Sequence, residues 1–435
     1  MTYYSLNKQS DKVDFKEATI RGQAPDKGLY FPETIPQVKK ELIRNIENYT
    51  NEEIALEVIK PYVGNTIPED RLLKIVTETV SFPIPLVQIS DDYFSLELFH
   101  GPTLAFKDVG ARFMSRCLGY FVGNQDKKIT VLVATSGDTG GAVANGFYGV
   151  DGIEVVILYP SGKVSTVQEK QLTTLGKNIH ALEVTGTFDD CQQMVKQAFV
   201  DADLNKKLFL TSANSINVAR WLPQQFYYFF AYKQWPWKDK APVISVPSGN
   251  FGNICAGILA HVSGLPVQHF IAACNANDIV TEFLKADSGD QLKPRTAVPT
   301  LSNAMDVGNP SNFVRILEIF QHNFPELKKK LSSYSISDKE TMATIKEVFD
   351  EYHYLADPHG AVGLLSLKRF LQEHPGQKGI FLETAHPVKF PEAVEKVTGK
   401  PIDAPPSVDE ILQKEKHSHL IQPDFNMLKE YLLAR

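Results

Sequence analysis

The residues of this chain whose types and spacing can do chemistry are a lysine in an apolar setting and two glycine-rich loops. Lys107 lies in His100-Gly101-Pro102-Thr103-Leu104-Ala105-Phe106-Lys107-Asp108. Desolvation disfavours the ammonium form, and a neutral amine in an apolar pocket is the form that attacks a carbonyl carbon. The same local sequence also suits a lysine whose stem packs on Phe106 while its head reaches water. Local sequence leaves both readings open.

The first loop, Thr135-Ser136-Gly137-Asp138-Thr139-Gly140-Gly141, follows the apolar run 129–134. The second, Ser248-Gly249-Asn250-Phe251-Gly252-Asn253, follows the run 243–246. Each puts small residues and free N–H groups where a helical pattern begins, which makes an anion site through the amides and the helix dipole. Neither carries the closing Gly-Lys-Ser/Thr of a P-loop or the Gly-x-Gly-x-x-Gly spacing of a dinucleotide site. Taken singly, each suits a plain strand-to-helix turn equally well. Together with Lys107 they match the needs of a phosphate-bearing aldehyde such as pyridoxal phosphate. The lysine bonds the aldehyde, one loop holds its phosphate, and the other holds an anionic substrate.

The elements that position these groups read as follows. Residues 1–35 are mixed and turn-rich. Amphipathic patterns at 35–48, 51–62 and 68–79 predict a helical N-terminal region. After the Pro83 and Pro85 linker, 94–99 alternates like a strand and 108–123 continues as a helix. From there apolar runs alternate with helical patterns: strands at 129–134, 155–159, 179–184, 243–246, 269–273 and 379–382, with helices between them. Apolar runs without alternation, each followed by a helix, predict two open, mostly parallel twisted sheets covered by helices: an α/β fold. The expected organisation is an N-terminal region over 1–85 and a core over 93–395. The core divides into lobes at 93–235 and 236–395, and a tail over 396–435 packs on it.

A net charge of −6 and the lack of a basic stripe exclude a nucleic-acid footprint. No apolar run is long enough for a membrane span, and the N-terminus does not read as a signal peptide, so the expected compartment is the cytoplasm. The four cysteines have no CxxC spacing and read as reduced core residues. No metal-ligand constellation occurs, and no metal is expected.

The stretches Ala105-Phe106-Lys107-Asp108, Thr135–Gly140 and Gly249–Asn253 closely resemble the threonine synthase family of the bacterial and fungal type. This is a branch of the fold-type II pyridoxal-phosphate enzymes related to tryptophan synthase β. The resemblance extends through Gly28–Pro32, Asn214–Asn217, Asn303–Val307 and Thr384–Pro387, and so covers nearly the whole chain. It implies that Lys107 anchors the cofactor and moves protons. It implies that Gly249, Asn250, Phe251, Gly252 and Asn253 cradle the phosphate, and that the Thr384 hydroxyl partners the ring nitrogen. Asp138 stands where cysteine-forming relatives have Asn at the ring oxygen; a helix N-cap is the plain alternative. Thr135, Ser136, Gly137 and Thr139 are implied to bind substrate. Arg112, Lys163, Arg220 and Lys389 are the candidate cations for its anionic groups, and His359 and His386 read as structural. The implied reaction converts O-phosphohomoserine and water to threonine and phosphate, by a monomer or small homo-oligomer. Serine/threonine dehydratase or cysteine synthase activity is the alternative.

Overall fold

The computed structural model describes residues 1–123, 128–286 and 292–434. Two parallel sheets carry the core. One has the order β14-β8-β7-β6-β9, with β6 (Ile129–Ala134), β7 (Ile153–Pro160), β8 (Ile179–Val184), β9 (Phe209–Thr211) and β14 (His419–Ile421). The other has the order β12-β11-β10-β13-β5-β4, with β4 (Leu86–Gln88), β5 (Tyr93–Glu97), β10 (Val243–Pro247), β11 (His269–Cys274), β12 (Leu331–Ser335) and β13 (Gly379–Glu383). All pairings in both sheets are parallel except β4 with β5. Every residue of β6, β10 and β13 is buried, as expected for strands covered on both faces. The four cysteines are free and buried.

Sheet membership departs from the expected lobes. Strands β4 and β5 belong with β10–β13, although they precede the first loop in sequence. Strand β14, from the tail, extends the sheet of β6–β9. The turn-rich start also contains a three-stranded antiparallel sheet of β1 (Thr2–Ser5), β2 (Val13–Asp14) and β3 (Tyr30–Pro32). These strands are too short to show a period of two. The helix expected over 35–48 is reduced to Lys40–Arg44 and a 3-10 turn at Ile46–Asn48.

The N-terminal region is locked to the core by Arg315, a fully buried guanidinium. Its Nη2 donates to Tyr30 O at 2.9 Å and Ile216 O at 2.7 Å, and its Nη1 donates to Asn312 Oδ1 at 2.7 Å. It also stacks over Trp221 at 4.3 Å. Trp221 leads toward the helix Gln225–Gln234, whose residues 225–232 are all buried. A helix apolar on every side is one surrounded by protein.

The pairing that matters most for function is β5 with β13. Its register sets Glu97 opposite Glu383, so the lysine stretch and the Thr384 stretch leave the sheet side by side. Glu383 is buried, its Oε1 accepts from Asp357 N at 2.5 Å, and its Oε2 has no partner among the described residues. Burial, then the nearby Asp357 and Glu97 carboxyls, push its pKa well up. Above the unfolded value of 4.5 the unfolded chain releases this proton while the folded chain keeps it, so stability falls as pH rises. Glu383→Gln cannot titrate. Its Tm relative to the parent is therefore expected to climb between about pH 5 and about pH 8. A difference that stays flat would mean the carboxyl is ionised in the fold.

Candidate active site

The lysine stretch is held as a strained turn. Leu104 has φ 58°, in the left-handed region that costs a branched residue energy. Asp108 fixes the turn by accepting from Thr103 N at 2.9 Å and from the Thr103 hydroxyl at 2.6 Å. A Cβ on Gly101 would lie 2.4 Å from Asp108 Oδ2, so only glycine fits there. The turn is sewn to the stretch after β13: Phe106 N donates to Thr384 O at 2.9 Å and His386 N to Leu104 O at 3.0 Å. Lys107 then opens the helix Lys107–Val122 immediately beside Thr384. The Lys107 side chain is 15% exposed. Burial lowers its pKa, Asp138 opposes this, and Lys389 and Arg220 add to it. The structure keeps part of both readings: the amine is largely withdrawn from water, and its Nζ lies 5.0 Å over the Phe106 ring.

The first loop opens the helix Asp138–Phe147, with Gly137 at φ 136° as its N-cap. A Cβ there would lie 2.4 Å from Gln168 Cδ. Asp138 is therefore not the cap. Its Oδ1 accepts from Lys389 Nζ at 2.6 Å and Gln168 Nε2 at 2.9 Å, and its Oδ2 lies 3.9 Å from Lys107 Nζ. Burial pushes the Asp138 carboxyl up, but the charges of Lys389 and Lys107 outweigh burial and hold it well below the usual carboxylate range. The Thr135 hydroxyl accepts from Gly137 N at 3.0 Å and Gly140 N at 2.8 Å. It shapes the turn and is not left for a substrate. Ser136 and Thr139 are half-buried, and their hydroxyls have no partner among the described residues.

The second loop opens the helix Gly252–Val262, with Phe251 in the left-handed region at φ 61°. The backbone amides from Gly249 to Asn253 have no acceptor among the described residues. The side chains brace the loop. Asn250 Nδ2 donates to Ser215 Oγ at 2.7 Å, Asn250 Oδ1 accepts from Ser311 N at 2.7 Å, and Asn253 Nδ2 donates to Pro247 O at 2.8 Å. The turn at Asn303–Met305 walls the loop: a Cβ on Gly249 would lie 2.7 Å from Ala304 O. His359 in turn holds that wall. Its Nε2 accepts from Ala304 N at 3.2 Å, and its Nδ1 donates to Asp357 at 2.5 Å. The histidine read as structural from its turn context has a structural contact set.

A row of unpaired amides at a helix N-terminus fits a phosphate dianion, and the buried amine of Lys107 beside Thr384 fits a phosphorylated aldehyde. The Thr384 hydroxyl has no partner among the described residues. It follows a strand and opens no helix, because the N-cap of the following turn is His386. Lys107 and the amide row are linked through Asn214–Arg220. Ser215 touches Asn250, and Arg220 packs on Gly110, where a Cβ would meet Arg220 O at 2.6 Å.

The four candidate cations separate. Arg112 is spent on Glu78 O, at 2.8 Å from Nη2, and fastens the N-terminal region. Lys163 projects from an exposed turn after β7, and no contact ties it to Lys107 or Asp138. Lys389 is fully buried, and Asp138 at 2.6 Å and Thr103 O at 2.9 Å take two of its three donors, so its charge is already paired. Arg220 is buried without an ion pair among the described residues. Its Nη1 donates to Ala213 O at 2.5 Å, its Nε has no acceptor among the described residues, and burial, only partly offset by Asp108, pushes its pKa down to about 10. Gln168 was not read from sequence, and the stretches of Ser215 and Asn303–Met305 were read only as part of the family pattern, without a role. Each acts across a long sequence separation and carries no local signal.

Cavity size does not mark this site. Two cavities of about 450 and 430 Å³ share Phe99 and His386, and neither is lined by Lys107. No group of metal ligands occurs among the described residues, and no helix of them is long and apolar enough to cross a membrane.

Comparisons with known proteins agree with this chemistry. The family model for pyridoxal-phosphate dependent enzymes matches residues 82–382. The models for the threonine synthase N terminus and the threonine synthase C-terminal part match residues 2–80 and 360–432. The threonine synthase of Haemophilus influenzae is 44% identical over 435 residues, which is 100% of both chains. The crystal structure of Escherichia coli threonine synthase superposes with a TM-score of 0.92 at 42% identity, covering 100% of both chains. That of pyridoxal-phosphate-bound threonine synthase from Brucella melitensis gives 0.91 at 35% identity, covering 99% of this chain and 98% of that one. A largely covered lysine and a row of unpaired amides, in a chain matched from end to end, place it plainly: the protein belongs to the threonine synthase family of pyridoxal-phosphate-dependent enzymes.

Proposed function

We propose that this enzyme releases phosphate from O-phospho-L-homoserine and adds water to give L-threonine, with Lys107 as its catalytic residue. The observation that carries this is the largely covered Lys107 side chain, which follows the Ala105–Phe106 backbone paired with Thr384–Ala385 and is joined through Asn214–Arg220 to the unpaired amides of Gly249–Asn253. The amide row would hold the cofactor phosphate, Lys107 its aldehyde carbon and the Thr384 hydroxyl its ring nitrogen. Bound there, pyridoxal phosphate supplies an electron sink that acidifies the C–H bonds near the substrate's amino carbon. Lys107, when its amine is free, is the base within reach of those protons, and its burial keeps a neutral form accessible. A hydroxyl at Thr384 donates or accepts one hydrogen bond but cannot hold the ring nitrogen protonated as a carboxylate would.

Ser136, Thr139 and the amides beside them face the substrate at the start of the helix Asp138–Phe147. Arg220 supplies the cation for a substrate anion, because a buried guanidinium that Asp108 reaches only at long range is costly until an anion joins it. Arg220→Met is expected to raise KM for the phosphorylated substrate about 10- to 100-fold, the worth of a charge-assisted hydrogen bond. Initial-rate kinetics would show this, and an unchanged KM would remove Arg220 from the substrate site.

Residues 1–85 serve by this reading as a brace for the helix of Lys107, and 396–434 as a brace for the sheet of β6–β9. The protein works in the cytoplasm as a monomer or small homo-oligomer. The decisive assay incubates it with phosphohomoserine, serine and O-acetylserine in parallel. Phosphate release and threonine formation from the first are expected. Turnover of only the other two would favour a dehydratase or cysteine synthase instead.

A further inference from the structure

Two lysines flank one carboxylate at the centre of the site, and only one of them can be the reactive amine. Asp138 Oδ1 lies 2.6 Å from Lys389 Nζ, while Asp138 Oδ2 lies 3.9 Å from Lys107 Nζ. Lys389 is held by more than this pair. It is fully buried, its Nζ also donates to Thr103 O at 2.9 Å, and that same carbonyl accepts from Gln171 Nε2 at 3.0 Å. Gln168 gives Asp138 Oδ1 a second donor at 2.9 Å, and its own Oε1 is tied to Ser165 N at 3.1 Å. The carboxylate is therefore pinned by its near oxygen to Lys389 and Gln168, with its far oxygen at the edge of ion-pair distance from Lys107.

We infer that Lys389 is a positioning residue, which occupies Asp138 and keeps that carboxylate from capturing Lys107 as its ammonium partner. A buried carboxylate with a single lysine neighbour binds that lysine's proton, and a protonated Lys107 is neither nucleophile nor base. With Lys389 in place the pair Asp138–Lys389 carries no net charge, and Lys389 offsets part of the pull that Asp138 exerts on Lys107. The other charged groups facing Lys107 are Arg220 and Asp357, which act in opposite directions. This role rests on the reading of Lys107 as the cofactor's anchor. It replaces the expectation that Lys389 contacts the substrate.

The test is competitive acylation of the full-length, cofactor-stripped protein with acetic anhydride over a pH series, with Lys107 followed by peptide mass spectrometry. In Lys389→Met the pH midpoint for Lys107 is expected to rise by about one unit, a roughly tenfold loss of free amine at a given pH. In Asp138→Asn it is expected to fall. In the double variant, which leaves neither buried charge unpaired and so is the best able to fold, it is expected to return toward the parent value. A midpoint that is unmoved or lowered in Lys389→Met overturns the inference. So does a double variant that keeps a raised midpoint. If Lys389→Met fails to fold, an Asp138→Asn midpoint that does not fall overturns it as well. Cofactor uptake by the parent, followed by absorbance, separates the two levels. A parent that takes up no pyridoxal phosphate at any pH removes the proposed role of Lys107 and with it the purpose of the arrangement. Uptake with unmoved midpoints removes the role of Lys389 alone.

Discussion

Lys107→Ala is expected to lower turnover by at least about 10⁴-fold, because one amine both bonds the cofactor and moves the substrate protons. The cofactor should also be lost on dialysis, since the amide row of Gly249–Asn253 then holds it by the phosphate alone. The loss is expected to be chemical and not structural. Lys107 Nζ lies 3.9 Å from Asp138 and 5.0 Å over the Phe106 ring, and Asp138 keeps Lys389 and Gln168 when the lysine is gone. The turn itself depends on Asp108, Thr103 and the backbone bonds to Thr384 and Leu104, none of which the substitution touches. The Tm of the variant should therefore stay near that of the parent. Absorbance after dialysis, phosphate release and a thermal scan check the three statements together. A variant that keeps its colour and its activity would show that another group anchors the cofactor.

Gly249→Ala is expected to weaken cofactor binding by about 100-fold while leaving kcat at saturating cofactor nearly unchanged. The added Cβ meets backbone, with Ala304 O at 2.7 Å and Met305 Cα at 2.8 Å. The wall cannot easily retreat. Ala304 N is held by His359, and Asp306 accepts from Asn275, Asn277 and Thr300 on the far side of the turn. The strain therefore moves the loop instead, and shifted amides no longer converge on one phosphate. Overpacking of this kind costs about 1–3 kcal/mol, which at its upper end is the predicted hundredfold. Titration of the cofactor-stripped variant with pyridoxal phosphate measures it. Parent-like affinity would place the phosphate elsewhere.

How much of this was legible in advance follows from the range over which each feature is encoded. The parallel sheets were readable because strands buried on both faces are apolar at every position, as in β6 and β10. The helix Gln225–Gln234 was not, because a helix surrounded by protein has no polar face and hence no period to detect. Strands β1–β3, β9 and β14 have two to four residues each and take their structure from pairing partners distant in sequence. The placement of β5 in the sheet of β10–β13 followed no chain-order rule, and the expected lobe boundary missed it.

The site divides the same way. Sequence by itself determined the chemistry: an amine in an apolar turn and two small-residue loops at helix starts, whose local types already set what each can bind. It determined the family as well, because those motifs recur in fixed order along the whole chain. Only the tertiary structure decided which charges are paired. Lys389 and Arg220 look alike in sequence as cations near a motif. One is paired with a carboxylate more than two hundred residues away in the chain, at 2.6 Å, and the other is buried with no ion pair among the described residues and Asp108 acting on it only at longer range. Electrostatic role depends on which opposite charge lies within a few ångströms, and folding alone sets that distance.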